Sequence, residues 1–273
     1  MITGTTRLYA IIGDPVAHVR TPMSFNAYFA EHGIDAICLP FHIGRDELAR
    51  GWQGLNALLN LDGFIVTAPH KQQAARLCDT LVADGRHVGV VNTVRREPNG
   101  TFSGTLLDGR GFVAGLRSKR HDPAGARIYI AGAGGAGNAL AFALAASGAS
   151  ALTIHNRTRS KAADLVERVR RAYPKIEVSL GTADASGHDI AVNATSLGLQ
   201  PDDPFSFDLA SVSQHALVAE VIMTPKMTPL LRAAAARGHR IHYGTLMLDG
   251  QLNEMMAFFG LQVADRQPAA GVV

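Results

Sequence analysis

The stretch ARIYIAGAGGAGNALAFALAASGASALTIHNRTRSKAADLVERVRRA, residues 126–172, decides the fold. Its apolar run 127–131 reads as a buried strand. Glycines at 132, 134 and 137 follow in the spacing GxGxxG, and an alanine-rich helical segment follows them. A second apolar run, a polar loop and an amphipathic helix complete the stretch. Strand, glycine turn, helix and strand in this order give the glycine motif its meaning. The glycines permit a tight turn and let a pyrophosphate approach backbone N–H groups at a helix N-terminus. Gly132, Gly134, Gly135, Ala136 and Gly137 are therefore candidate dinucleotide-binding residues.

The end of the second strand bears on which dinucleotide. A site that selects NAD usually has Asp or Glu there to hold the ribose 2′-hydroxyl. This chain instead reads Asn156, Arg157, Thr158, Arg159, Ser160, Lys161, with three cations and no acid. Arg157 stacked on adenine and a second cation nearby would suit a 2′-phosphate. Cations at a helix N-terminus oppose the macrodipole, so their clustering needs a reason. The sequence favours NADP and leaves NAD open.

Further along the chain, 188–196 and 216–222 read as buried strands, and 228–238 as a helix with Thr228 as N-cap and Pro229 at N1. The last helix is expected at about 245–259, and the tail 263–273 is expected to fray. On the N-terminal side, 7–13, 36–43 and 63–68 read as strands. A helix over 21–33 is expected to use Thr21 as N-cap and Pro22 at N1, and another spans 45–59. A hairpin turns at Pro98-Asn99-Gly100. The fold class is therefore α/β: an N-terminal domain with a mixed sheet, 1–106, and a Rossmann-type doubly wound parallel sheet, 107–244, with a cleft between them. The last segment, 245–273, is expected to return to the first domain.

The chain has 273 residues, 47% hydrophobic and 18% charged, which is ordinary for a globular protein with a sizeable core. A net charge of +3 is too small to argue for nucleic acid or an anionic membrane. Cys38 and Cys78 stand far apart, without metal-ligand spacing, and read as reduced thiols. The apolar start is short and interrupted by Asp14 and Pro15, so no signal peptide is read there. The expectation is a cytoplasmic enzyme, monomeric or homodimeric, with a small-molecule substrate and no metal.

Several segments end in polar groups: His18–Thr21, Thr67–Lys71, Asn92–Thr93, Asp108 and Gln251. Interconverting an alcohol and a ketone moves a hydride at carbon and a proton at oxygen. A lysine can move that proton and a carboxylate can position it, which makes Lys71 and Asp108 a natural pair. Spacing alone does not bring them together, and a surface charge is the plain alternative for each.

The chain resembles the shikimate/quinate dehydrogenase family along nearly its whole length. The matching segments, in order, are IIGDPVAHVRTP, GFIVTAPHK, VVNTV, LLDGRGF, AGAGGAG, NRTRSKA, VNATSLGL, TPKMTPLL and GTLMLDGQ. The resemblance implies that Lys71 and Asp108 are the catalytic pair. It implies that Asn92 and Gln251 hold substrate hydroxyls and that Thr67 lines the pocket. It also implies that Asn156, Arg157, Thr158 and Lys161 surround the adenosine 2′-position. Asn193 and Thr195 would lie near the cofactor, and Met223, Gly244 and Met247 near the nicotinamide. The implied substrate is a cyclic hydroxy acid.

The departures from the family fall mainly on the substrate. The family typically reads Ser-x-Ser-Pro where this chain has Val19-Arg20-Thr21-Pro22, so one of two carboxylate-holding hydroxyls becomes an isopropyl group. An amide that faces ring hydroxyls in the family becomes Ile65. The usual NTD is Leu106-Leu107-Asp108, and a usual Tyr-Asn-Pro is Met223-Thr224-Pro225. Each unpaired neutral group costs roughly 1–3 kcal/mol, so shikimate itself is expected to be a poor substrate. A quinate-type or amino-shikimate-type dehydrogenase, and a cofactor-binding sensor without turnover, remain as alternatives.

Overall fold

The computed structural model describes residues 1–17, 19–82 and 84–262. His18 and the tail 263–273 lie outside the described residues. The chain divides into two units, one of residues 1–106 together with the segment from Leu252, the other of Leu107–Gln251.

The first unit runs β1 (Arg7–Gly13), α1 (Thr21–His32), β2 (Ala36–His42), α2 (Leu48–Ala57), β3 (Leu61–Val66), α3 (Lys71–Leu77), β4 (Thr80–Leu81), α4 (Asp84–Val88), β5 (Thr93–Arg96) and β6 (Phe102–Thr105). Its strands form one sheet in the order β2-β1-β3-β5-β6-β4. β1 is parallel to β2 and β3, whereas β5 is antiparallel to β3 and β6, so the sheet is mixed.

The two faces of this sheet do different work. Alternate strand residues point to opposite faces. Ala10, Ile12, Phe64 and Val66 pack with Leu48, Trp52 and Leu55 of α2. Trp52, Phe64 and Phe102 meet edge to face at centroid distances of 5.1–5.5 Å, a favoured aromatic geometry. The pairings Ile11–Ile65, Ile65–Thr93 and Thr93–Thr105 place the intervening residues in a row on the other face. Tyr9 on that face packs against Phe29 and Phe259.

The second unit runs α5 (Asp108–Ser118), β7 (Arg127–Ala131), α6 (Gly135–Ala146), β8 (Ala151–His155), α7 (Arg159–Ala172), β9 (Glu177–Leu180), β10 (Ile190–Asn193), β11 (Leu217–Glu220), α8 (Pro229–Ala236), β12 (Arg240–His242) and the start of α9 (Thr245–Phe259). All its strands are parallel, in the order β12-β11-β10-β7-β8-β9. The chain leaves β7 toward β8 and returns on the other side at β10. That reversal is the topological switch point at which doubly wound sheets bind their ligands.

Four local expectations need correcting. Arg20, not Thr21, occupies the N-cap of α1, with no side-chain cap bond, and the helix starts at Thr21. Pro22 fits the first turn at either of its first two positions, so it did not fix the boundary. β3 ends at Val66, which leaves Thr67 and Ala68 in the following loop. Thr67 N–H still donates to Ile12 O, so the loop stays attached to the sheet. The helix expected over 45–59 is a 3₁₀ turn at Arg45–Glu47 followed by α2, which ends at Ala57. Finally, Thr245–Gln251 groups with the second unit, and α9 groups with the first only from Leu252 onward. Its backbone is packed against α5: a Cβ on Gly111 would lie 2.7 Å from Met247 O, and one on Gly115 2.7 Å from Leu246 O.

His242, at the end of β12, is fully buried, and neither ring nitrogen has a hydrogen-bond partner among the described residues. Burial, with His121 and Lys119 nearby, pushes its pKa down to about 4. Below the ordinary histidine pKa the unfolded chain therefore binds a proton that the folded chain refuses. This contribution is complete above about pH 6.5 and is lost as pH falls toward about 4, on the order of 3 kcal/mol in all. Urea midpoints at pH 7 and pH 4.5 should differ less in His242→Phe than in the parent. An equal difference in both would refute the assignment.

Candidate active site

In the first unit, candidate residues from three segments are held together through the backbone. Lys71 opens α3, and its carbonyl accepts a hydrogen bond from Val91 N–H at 3.1 Å. Asn92 follows directly; its N–H donates to Thr105 O and its carbonyl accepts from Val66 N–H. Asn92 is buried, and its Oδ1 accepts from the Thr93 hydroxyl at 3.0 Å. His70 N–H donates to Thr67 O, closing the turn that leads into α3. Thr67, Lys71 and Asn92 are thus gathered at the carboxyl end of β3.

Ile65 belongs to the same neighbourhood. It is buried in β3, between Ile11 and Thr93 across the sheet. Val19 and Thr21 lie where the chain enters α1, both partly exposed. The loop before them is tied to the one after β3 by a hydrogen bond from Asp14 N–H to Ala68 O.

In the second unit, Asp108 is the first residue of α5. Its Oδ1 accepts a hydrogen bond from Gln251 Nε2 at 2.7 Å. The two residues are far apart in sequence, and the close packing of α5 on α9 brings them together. An anion at a helix N-terminus is also favoured by the macrodipole.

The glycine loop has the geometry that a pyrophosphate requires. Gly132 follows β7 with φ of 116°, and a Cβ there would lie 2.6 Å from Ala194 O. Gly137 packs so tightly that a Cβ would strike Gly132 O. Gly134 and Gly135, by contrast, are exposed, with nothing within 4 Å of a Cβ position. The loop is therefore closed toward the sheet and open outward at the N-terminus of α6, with Ala136 in its first turn. Asn156 Oδ1 accepts from Ala133 N–H, and its Nδ2 donates to Thr158 O, which links this loop to the basic one. Arg157, Thr158, Arg159 and Lys161 are all exposed there. These residues fit a dinucleotide carrying a 2′-phosphate.

The loops after β10 and β11 complete the same end of the sheet. Asn193 Oδ1 accepts from both the N–H and the hydroxyl of Thr195. Met223 is partly exposed, while Gly244 and Met247 are buried. A Cβ on Gly244 would meet Ile222 O, so this crossing too requires glycine.

The sequence reading missed two polar residues here. Asn138 Nδ2 donates to Ala133 O and Gly134 O, bracing the glycine loop from within α6. Glu220 ends β11 completely buried. Each carried a signal: an amide in an alanine-rich helix, and an acid closing an apolar strand. Among the described residues no cluster of His, Cys, Asp and Glu could hold a metal ion, and no helix is long and apolar enough to cross a membrane.

Residues 11–94 match the family model of the shikimate dehydrogenase substrate binding domain, and residues 116–198 that of shikimate/quinate 5-dehydrogenase. A shikimate dehydrogenase (NADP(+)) of Rubrobacter xylanophilus is 40% identical over 251 residues, covering 90% of this chain and 88% of that protein. The chain belongs to the shikimate/quinate dehydrogenase family. Membership makes it an oxidoreductase. Two solved structures show how evenly the likeness extends. Shikimate 5-dehydrogenase of Listeria monocytogenes, in complex with shikimate and NAD, superposes with a TM-score of 0.88 at 29% identity, over 96% of this chain and 94% of that one. Ligand-free 5-ketofructose reductase of a Gluconobacter strain gives 0.86 at 30%, over 95% of both chains. Proteins of this fold therefore carry names for different substrates.

Proposed function

We propose that the chain is an NADP-dependent dehydrogenase that interconverts a ring alcohol and its ketone, and that shikimate is a poor substrate for it. The observation that carries this reading is the sheet end in the first unit. Thr67, Lys71 and Asn92 are gathered there around β3, the strand that buries Ile65 in place of an amide. The reaction machinery is kept and a substrate contact is lost.

NADP, when bound, supplies the hydride acceptor for the alcohol direction. The glycine loop and Arg157, Thr158 and Lys161 hold its phosphates, with Asn156 fixing one loop against the other. Asn193 and Thr195 shape the neighbouring loop, and Met223, Gly244 and Met247 flank the nicotinamide. Lys71 takes the proton from the alcohol oxygen and returns it in the reverse direction. Asp108 orients Lys71, while Asn92 and Gln251 hold substrate hydroxyls. Thr67 and Thr21 line the remaining polar wall, and Val19 and Ile65 make the rest apolar.

A cyclic hydroxy acid other than shikimate is the leading substrate class. The likeness to the ketofructose reductase favours a second reading, a keto sugar, because the loss of a hydroxyl at Val19 weakens the case for a carboxylate on the substrate. Steady-state kinetics with shikimate, quinate, a less hydroxylated ring acid and a keto sugar, each with NADP(H) and NAD(H), test both. The expected result is a preference for NADP(H) and a kcat/KM on shikimate below that on another compound. Efficient shikimate turnover would sink the altered-pocket reading, and indifference to the 2′-phosphate would sink the NADP assignment.

A further inference from the structure

Glu220 is a charge where burial is expensive. It closes the apolar strand β11 and is 0% exposed. Its Oε1 accepts from Val221 N–H at 2.9 Å and Ile222 N–H at 3.1 Å. Its Oε2 accepts from Asn193 Nδ2 at 3.0 Å and from the Thr228 hydroxyl at 3.1 Å. Each partner is a donor. Asn193 is oriented by Thr195, whose N–H binds its Oδ1, and Thr228 Oγ1 is itself the acceptor for Leu231 N–H. Only the Thr228 hydroxyl could accept a carboxyl proton, and it would have to give up its own donation to Glu220, so all four bonds as they stand favour the ionised form.

Among the described residues no cation compensates it. Burial pushes its pKa up, hydrogen bonds alone oppose that shift, and no charged side chain contributes. The four donors give the carboxylate a structural role, yet burying a charge without a cation beside it is costly. The location offers a reason. Glu220 binds the backbone of Val221 and Ile222, which leads to Met223, and Ile222 O lies against Gly244. Through Asn193 it also reaches Thr195. It thus stands at the centre of the residues proposed to flank the nicotinamide. A nicotinamide ring carries a positive charge when oxidised and none when reduced. A fixed charge in a water-poor interior acts over a longer range than one in solvent.

We propose that Glu220 is a positioning residue whose fixed negative charge favours the oxidised, cationic form of the bound nicotinamide over the reduced, neutral one, a role that rests on the dinucleotide reading above. The charge sets how the protein divides its affinity between the two forms, and its bonds hold the loops that shape the site.

Calorimetric dissociation constants for NADP⁺ and NADPH separate these effects. In Glu220→Gln, NADP⁺ should weaken about tenfold more than NADPH. Glu220→Asp keeps the charge and should keep the parent's ratio even if both constants rise. If Glu220→Gln does not fold, Val221→Lys places a cation beside the carboxylate from a partly exposed position and should shift the ratio the same way. Equal weakening of both forms, or an unchanged ratio in the folded charge variants, overturns the proposal and leaves the dinucleotide reading standing. If the parent binds neither form, the dinucleotide reading fails and this inference falls with it.

Discussion

Lys71→Ala is expected to lower kcat by about a thousandfold while the dissociation constant for NADPH stays within about twofold. The size follows from what a positioned acid–base group contributes. The selectivity follows from the architecture: Lys71 belongs to the first unit, and the glycine loop and basic loop belong to the second. The backbone of Lys71 already fixes the segment before β5 through its carbonyl, and alanine keeps that bond. Loss of turnover is therefore expected without loss of fold, checked by the thermal midpoint. Asp108→Asn should lower kcat in the same direction. If no compound in the kinetic panel gives turnover that depends on Lys71, the enzymatic reading fails and the sensor alternative takes its place.

The second large effect is a gain. Val19→Ser combined with Ile65→Asn should raise kcat/KM on shikimate by roughly a hundredfold or more, since two neutral contacts at roughly 1–3 kcal/mol each are restored. The two positions differ in their risk. Val19 is partly exposed, so serine there costs little stability. Ile65 is buried beside Ile11, so asparagine leaves an amide in need of a partner when no substrate is bound. Ile65→Asn should accordingly lower the thermal midpoint and recover part of that loss on adding shikimate. A double variant that folds, binds cofactor and gains nothing on shikimate would show that these positions do not control the substrate.

Much of the second unit was legible because its signals are local. Strand, glycine turn, helix and strand are contiguous in sequence, and Thr228 caps α8 as expected, accepting from Leu231 N–H. The elements that escaped were short or compositionally masked. β9 and β12 are edge strands of four and three residues. α5 carries glycines at 109, 111 and 115, which count against a helix by propensity. Tertiary packing outweighs that propensity, because each glycine lies against a neighbouring backbone. α3 escaped because it is short and the strand signal and Pro69 just before it mask its start. Asp108, Gln251 and Glu220 each carry a signal in the sequence, but the bonds they make depend on which segments the fold brings together.

The glycine face of α5 sorts the positions of this chain by how freely they can vary. A methyl group at 109, 111 or 115 would collide with the backbone of α6 or α9, so almost no substitution is open there. Asp108, at the head of that helix, is consequently anchored by positions that cannot drift. Val19 and Met223 lie in loops and are partly exposed, where exchange is cheap. On the roles proposed above, a lineage can then change its substrate while keeping its chemistry. Anyone retargeting this scaffold should randomise the second set and leave the first untouched.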